Sequence, residues 1–238
     1  MTDYSKWDKF EDDSSEDEAA SKKVPMKDLN ALDSGGMTRL HRACEKCDKE
    51  KIGQLISRGA DLEVMCEGHT PLTWGAKHGK GESCKALLVA GARMDGASLH
   101  YACLGGHVKT LQLLLSRGGQ INALDKTGQT PLLVAVSNHQ KTRGHELCCL
   151  TLIEAGADLE VKDRWGMSAL HWSAGSERIS IVKALLDRGA NAGSCNKEGL
   201  TALAVCRQQW GGSPTTSQAA LLELLEQATP AAVALKSS

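Results

Sequence analysis

Apolar segments recur along the chain at a nearly constant spacing, and each begins with a similar helix start. The leucine of that helix start stands at positions 40, 72, 99, 132, 170 and 203, which are 32, 27, 33, 38 and 33 residues apart. A second apolar segment follows each start, and the first five close on a glycine, as in Leu185 to Gly189. Six variable copies at one period predict a repeat architecture in which each unit contains two short helices.

One copy runs from Asp125 to Gly156 and has Thr130-Pro131-Leu132 at its helix start. The unit that begins at Asp163 repeats the same order of turn, helix start and Leu-Leu-x-x-Gly-Ala ending. A unit of about 33 residues with these features resembles the ankyrin repeat. The resemblance covers residues 33–227 and implies an all-α solenoid of stacked helix-turn-helix units joined by short β-hairpin-like turns. It also implies that the histidine of the helix start, as at His41, ties the turn by hydrogen bonds.

Two steps depart from the period. The short step predicts that the turn between Ala92 and Ala97 has lost six residues. The long step predicts an insertion near His139 to Arg143. Because that stretch is polar, we expect it to loop out between the two helices of repeat four.

Capping residues predict where several helices begin. The Thr38 hydroxyl suits the cap of the first helix, and Pro71 suits a first helical position, where its missing N–H has no cost. In repeat six, Ser217 or Thr216 is predicted to cap a last helix from Gln218 to Gln227. We expect this irregular unit to close the stack, since end repeats need one solvated face.

The overall charge of −1 is unevenly distributed along the chain. Residues 1–18 hold eight carboxylates and two lysines, a net charge of −6, which leaves +5 for the remainder. We therefore predict an acidic, disordered N-terminal tail over residues 1–32, a repeat domain over 33–227 and a disordered C-terminal tail over 228–238. A mildly basic body does not indicate nucleic-acid binding. We expect the acidic tail to lie over the concave face of the repeats.

The first residues also suggest a docking motif. Three aromatic residues among the first ten stand at helical spacing. Residues 3–18 resemble the N-terminus of the eukaryotic cell-division-cycle kinase co-chaperone. The resemblance implies phosphorylation at Ser14 and Ser15, which lie in an acidic stretch. The alternative is a solubilising tail with no binding role.

Cysteine usage and hydropathy indicate where the protein resides. Nine cysteines in a chain with no visible signal peptide are typical of a reduced intracellular protein, and the odd number argues against a complete disulfide framework. No apolar run is long enough to span a membrane. We expect a monomer with a cytoplasmic location, and the nucleus is the alternative.

No catalytic or cofactor site stands out. His41, Cys44 and Cys47 have spacing that suits a metal, but a zinc site needs four ligands, and the sequence has no second Cys-x-x-Cys pair. The repeat itself explains His41, and Cys44 falls at a core position of the repeat. We therefore predict no metal, no cofactor and no enzymatic activity.

By the ankyrin resemblance, a partner binds on the concave side, which the turns and the ends of the inner helices form. The predicted partner-binding residues are Cys66, Glu67, His69, Lys77, His78, Leu104, Lys126, Thr127, Gln129, Ser137, Asn138, Arg164, Trp165 and Met167. Trp74, Tyr101 and Trp172 are predicted to be core residues. Trp165 lies in a turn, where it either anchors a partner or packs across the neighbouring turn.

The resemblance implies non-catalytic protein binding, as an adaptor, scaffold or inhibitor. The partner is a protein whose identity the sequence does not give. The alternative is a regulatory or chaperone-associated subunit with a phosphorylatable acidic tail.

Overall fold

The computed structural model describes residues 29–138, 140, 142–210 and 214–229. Within them lie twelve α-helices: α1 (Arg39–Lys46), α2 (Lys49–Ser57), α3 (Pro71–Lys77), α4 (Gly81–Val89), α5 (Ala97–Leu104), α6 (Val108–Ser116), α7 (Pro131–Ser137), α8 (Arg143–Glu154), α9 (Ala169–Gly175), α10 (Ile179–Asp187), α11 (Ala202–Trp210) and α12 (Thr216–Ala228). The only β-structure in the described residues is two isolated bridges, Cys66 with His69 and Cys195 with Thr201. The predicted all-α architecture is confirmed.

The helices pair into six repeats, in which the odd-numbered helices form an inner layer and the even-numbered helices an outer layer. Each inner helix packs against the inner helices of the neighbouring repeats, and the outer helices pack on each other in the same order. One continuous apolar core runs between the layers and consists mainly of leucine, alanine and cysteine side chains. Small side chains allow this close approach of helices, and the predicted solenoid is confirmed.

Threonine and proline residues set the starts of the inner helices. The side-chain oxygens of Thr38, Thr70 and Thr130 each accept a backbone N–H in the first turn of α1, α3 and α7. Pro71 and Pro131 occupy first helical positions. These caps satisfy N–H groups that the helix itself leaves unpaired, so the sequence signals for these starts are confirmed.

The last helix is capped by Thr215, and the prediction of Ser217 or Thr216 was wrong. The Thr215 hydroxyl accepts the Gln218 N–H at 3.3 Å, while the Gln218 side chain accepts the Thr215 N–H at 2.9 Å. This reciprocal pair is a capping box, which a Thr followed three residues later by Gln favours.

Three histidines join their own repeat to the following turn. Their Nε2 atoms lie 2.8–3.1 Å from backbone carbonyl oxygens, His41 to His69, His100 to Gln129 and His171 to Leu200. Because a carbonyl oxygen only accepts, Nε2 of His41 and of His171 holds the ring proton. In His100, Nδ1 also lies 2.7 Å from a carbonyl oxygen, that of Gly96. The turn-tying role expected for this histidine is confirmed in these repeats.

The third repeat lacks its turn, as the short step predicts. Seven residues separate α4 from α5, whereas fourteen separate α6 from α7. At this gap the ring of Tyr101 lies against the ring of His69 from the second turn, with their centroids 4.6 Å apart.

The prediction that the insertion in repeat four loops out is partly wrong. Five residues separate α7 from α8, against three between α3 and α4, and α8 has twelve residues where α4 has nine. Part of the insertion is therefore helix. Arg143 lies in the first turn of α8, and the buried His145 donates from Nε2 to the Leu104 carbonyl oxygen at 2.9 Å. His139 and Lys141 lie outside the described residues.

Packed residues begin ahead of the boundary that we predict at residue 33. The side chain of Leu29 is buried in the core of the first repeat. The Asn30 side chain accepts the backbone N–H of Asp61 at 3.0 Å.

Candidate partner-binding surface

Turn residues and the ends of the inner helices line two grooves. The larger one, here called the N-terminal groove, has a volume of about 810 Å³ and belongs to the first four repeats. Its lining residues are Met37, Arg42, Glu45, Glu67, Trp74, Lys77, His78, Tyr101, Leu104, Gly105, Asn138 and Gln140. Five of the predicted partner-binding residues therefore share this groove: Glu67, Lys77, His78, Leu104 and Asn138.

Aromatic and histidine rings pack together beneath the N-terminal groove. The Trp74 ring lies 6.3, 5.8 and 4.7 Å from the rings of His41, His69 and His78. The Lys77 ammonium lies 5.4 Å from the Trp74 ring centre and 3.2 Å from His69 Nε2. Because an ammonium only donates, His69 accepts at Nε2 and holds its proton on Nδ1. That Nδ1–H and the Trp74 indole N–H are buried without a hydrogen-bond partner among the described residues.

The charges around this groove are mixed. Burial, followed by the positive charge of Lys77, lowers the pKa of both His69 and His78, so both rings are neutral at neutral pH. Lys77 forms no ion pair with a carboxylate of the described residues. Glu45 and Glu67 lie on the same walls, so the N-terminal groove presents both signs of charge around an apolar centre.

The smaller C-terminal groove has a volume of about 250 Å³ and lies between the fourth and fifth repeats. Its lining residues are Thr127, Gln129, Ser137, Arg164, Trp165 and Trp172. All of them except Trp172 were predicted as partner-binding residues. This groove therefore combines hydroxyl and amide groups with two indoles and a guanidinium.

Trp165 packs within its own repeat and also remains open to solvent. Its ring meets that of Trp172 edge to face, with centroids 6.0 Å apart. The Arg164 guanidinium lies over the same indole at 4.0 Å from the ring centre, which is a favourable cation–π geometry. Even so, 47% of Trp165 is exposed. The exposed indole is held in place by both neighbours, so a partner would not have to order it.

A carboxylate holds the turn that carries Trp165. Asp163 is buried, and its Oδ1 accepts the backbone N–H groups of Trp165 and Met167, each at 2.9 Å. Asp125 does the same in repeat four. Burial raises the pKa of Asp125, but the hydrogen bonds from Thr127 and from backbone N–H groups outweigh that effect and leave the pKa below its usual value.

Four predicted residues lie outside the walls of both grooves. Cys66 and His69 are only 2% and 7% exposed, which leaves little side-chain surface for a partner. Lys126 is exposed and precedes the groove residue Thr127. Met167 Sδ accepts from the Asn196 side chain at 3.5 Å and so is directed toward the next turn.

The sequence did not identify Tyr101 and Trp172 as groove residues, because both were predicted to be core. Trp74, at the same helix position, is indeed buried, but Tyr101 and Trp172 are only half-buried. The missing third turn was the available signal for Tyr101, since it removes the residues that would cover that ring. No feature of the sequence marked Met37 and Arg42 as groove residues. They reach the groove through the packing of the first turn.

The described residues contain no cluster of three or more His, Cys, Asp or Glu side chains suited to a metal ion. Burial raises the pKa of Cys44 and raises that of Cys84 to about 12, and a protonated thiol is a poor metal ligand.

In the part of the chain that the structure describes, no helix is both long and apolar enough to cross a membrane. Ser14 and Ser15 lie outside the described residues.

Comparison with known proteins decides the family. The sequence model described as ankyrin repeats (3 copies) matches residues 17–98, 90–163 and 141–228. The chain belongs to the ankyrin repeat family. The B-cell lymphoma 3 protein homolog of Mus musculus is 31% identical over 185 residues, which cover 75% of this chain and 34% of that protein. Inversin of Homo sapiens is 32% identical over 173 residues, which cover 68% of this chain and 16% of inversin.

Solved structures share the fold. The ankyrin repeat domain of Bcl-3 superimposes with a TM-score of 0.70 and 26% identity, over 83% of this chain and 86% of that domain. The human ASB11 ankyrin repeat domain gives a TM-score of 0.69 and 24% identity, over 82% and 86%. The chain spans about a third of the length of the B-cell lymphoma 3 protein homolog and less than a fifth of the length of inversin. The resemblance of residues 3–18 to the kinase co-chaperone finds no support in these comparisons.

Proposed function

We propose that this ankyrin repeat protein is a non-catalytic protein-binding module, an adaptor, scaffold or inhibitor that holds its partner on the concave side. The observation that carries the proposal is the exposed indole of Trp165, fixed between Arg164 and Trp172 at the wall of the C-terminal groove. Tryptophan and arginine are the residues most enriched among the strongest contacts of protein interfaces. A pre-positioned pair loses little side-chain entropy on binding.

The N-terminal groove supports the same function. Tyr101, Lys77 and the half-exposed Leu104 line one groove of about 810 Å³, which offers both apolar contact and charge. Repeat solenoids use extended concave surfaces of this kind to bind other macromolecules. We further propose that the partner is a protein, that the chain acts as a monomer, and that it works in the cytoplasm, with the nucleus as the alternative.

The test is affinity capture of partners by the full chain, followed by quantitative mass spectrometry. Trp165→Ala removes the proposed anchor. Val89→Ala and Leu147→Ala are matched controls, because both remove an exposed apolar side chain from an outer helix. We expect at least one protein to be lost with Trp165→Ala and retained with both controls. Equal recovery of every protein by all variants would contradict the proposal, provided that their unfolding midpoints agree.

A further inference from the structure

Three consecutive turns carry a cation at the same position. Each turn begins with an Asp or Asn whose Oδ1 accepts the N–H groups two and four residues later at 2.8–3.0 Å, namely Asp125, Asp163 and Asn196. The residue that follows is Lys126, Arg164 and Lys197, respectively. Because the turns share one hydrogen-bond pattern, these side chains start from equivalent points of successive repeats. The fifth and sixth turns also touch, since the Lys197 N–H donates to the Trp165 carbonyl oxygen at 3.1 Å.

Among the described residues, these three cations have no acidic partner. All three residues are exposed, and none forms an ion pair with a carboxylate of the described residues. Of the carboxylates next to them in sequence, Asp125 and Asp163 are already engaged with N–H and O–H donors of their own turns. The exposed Glu198, which follows Lys197, forms no ion pair with it. The equivalent positions of the first two turns hold Ser34 and Glu67 instead. Among the described turns that have this hydrogen-bond pattern, an unpaired cation at this position is therefore found only in the C-terminal half.

The cation row runs beside an aromatic surface. Arg164 belongs both to the row and to the C-terminal groove, where its guanidinium lies over Trp165. Stacking on one face leaves the guanidinium edge free for a carboxylate, which it can bind in a bidentate manner. The adjoining indoles would contact an apolar side chain next to that carboxylate.

We propose that the cation row and the C-terminal groove together bind an acidic peptide segment of the protein partner, one that carries an aromatic side chain among its carboxylates. This inference rests on the proposed function and adds the chemistry of the partner. Three cations suit a short acidic segment. A nucleic acid would instead call for a larger basic face that follows many phosphates.

The test measures peptide binding to the full chain by fluorescence anisotropy. The probe is a fluorescein-labelled peptide that alternates glutamate with alanine around a central tyrosine, and its glutamine counterpart is the uncharged control. One triple variant is Lys126→Gln, Arg164→Gln and Lys197→Gln. The matched triple is Lys85→Gln, Lys109→Gln and Lys183→Gln, which removes the same charge from exposed positions of outer helices. Equal unfolding midpoints establish that both triple variants are folded.

We expect the acidic peptide to bind and the glutamine peptide not to bind. The row variant should bind about tenfold more weakly, since exposed charge pairs each contribute up to about 1 kcal/mol. The outer-helix variant should change the affinity less than about twofold, and added salt should weaken binding throughout. Equal losses in both triples would overturn the proposal, because the attraction would then depend on net charge alone. An oligonucleotide of matched charge that binds as tightly as the peptide would overturn the assignment to a peptide.

The chain's own acidic segment is the competing occupant. If the peptide binds only after the eight acidic residues of positions 1–18 are replaced by Asn and Gln, that segment occupies the row and the proposal for an external partner is wrong. Different results would refute the proposed function and the proposed acidic chemistry of the partner. Loss of peptide binding with intact Trp165-dependent capture would refute the acidic chemistry alone, whereas peptide binding without any captured protein would refute the adaptor role.

Discussion

The indole N–H of Trp172 donates to Asp163 Oδ2 at 2.8 Å, while Oδ1 of the same carboxylate holds the turn that carries Trp165. One buried side chain therefore positions both tryptophans of the C-terminal groove. Repeat four has the same turn, but no indole donates to its aspartate. The side-chain and backbone hydrogen bonds to Asp125 all reach Oδ1. The aspartate therefore holds the turn in both repeats, but only Asp163 also positions a groove side chain.

Asp163→Asn should disturb the groove, whereas Asp125→Asn should be mild. An asparagine keeps one acceptor oxygen for the turn, as Asn196 shows in repeat six. At position 163 the new amide N–H₂ would face the donor of Trp172, which costs about 1–3 kcal/mol for a buried unpaired group. Urea unfolding measures the cost, and the NMR signal of the Trp172 indole N–H reports the lost bond. Equal effects of the two substitutions would show that Asp163 has no special role.

Two helical glycines should respond to alanine in opposite directions. A Cβ at Gly144 in α8 would lie 2.5 Å from the backbone oxygen of Gly106, which is not free to move away. A Cβ at Gly53 in α2 would meet nothing within 4 Å. We expect Gly144→Ala to destabilise the fold by about 1–3 kcal/mol and Gly53→Ala to stabilise it by up to about 1 kcal/mol. Thermal unfolding checks both, and a neutral Gly144→Ala would show that α8 does not approach the turn between α5 and α6 so closely.

Much of the fold was predictable because its signals are local. The leucine period set the repeats, Thr-Pro set the helix starts, and the missing third turn followed from one short step. The insertion was harder, because the sequence does not say whether extra residues extend a loop or add turns to α8. For the groove, turn positions such as Arg164 and Trp165 followed from the repeat. The placement of Tyr101 and Arg42 depends on packing between repeats, and no single residue of the sequence indicates that packing.

Stability should fall as the pH drops below about 6.5. Burial lowers the pKa of His41 and His171, although the hydrogen bonds from both rings to backbone carbonyls raise it in part. Unfolded histidines titrate near about 6.5, so below that pH the unfolded chain binds more protons than the folded chain. The stability present above about pH 6.5 is therefore lost progressively toward the lower folded pKa.

Urea midpoints at about pH 7.5 and 5.5 test this histidine effect within the range where the histidines titrate. The carboxylate of Asp125, whose pKa is also lowered, loses its contribution only at more acidic pH. The double variant His41→Gln and His171→Gln should be less stable at the higher pH and should show a smaller change between the two. An unchanged pH dependence in that variant would assign the acid sensitivity to other groups.

The sixth repeat should act as a cap. Leu221 and Leu225 of α12 are fully buried, and α12 packs against α10 and α11. Leu221→Ala should cost about 2–5 kcal/mol and promote aggregation, because it loosens the cover of repeat five. Glu223→Ala, on the exposed face of α12, should change stability little. A fragment of residues 1–198 that stays soluble, monomeric and cooperative would refute the capping role.

The central claim is that a protein partner occupies the concave side. Site-specific photo-crosslinking in cells tests it most directly, with a photoreactive amino acid placed at Thr127 in the C-terminal groove, at Leu104 in the N-terminal groove, or at Lys183 on α10. We predict that one protein is crosslinked from Thr127, from Leu104 or from both, and that it is absent from the Lys183 sample. If a protein is crosslinked from Lys183 and none from either groove position, the partner does not bind on the concave side.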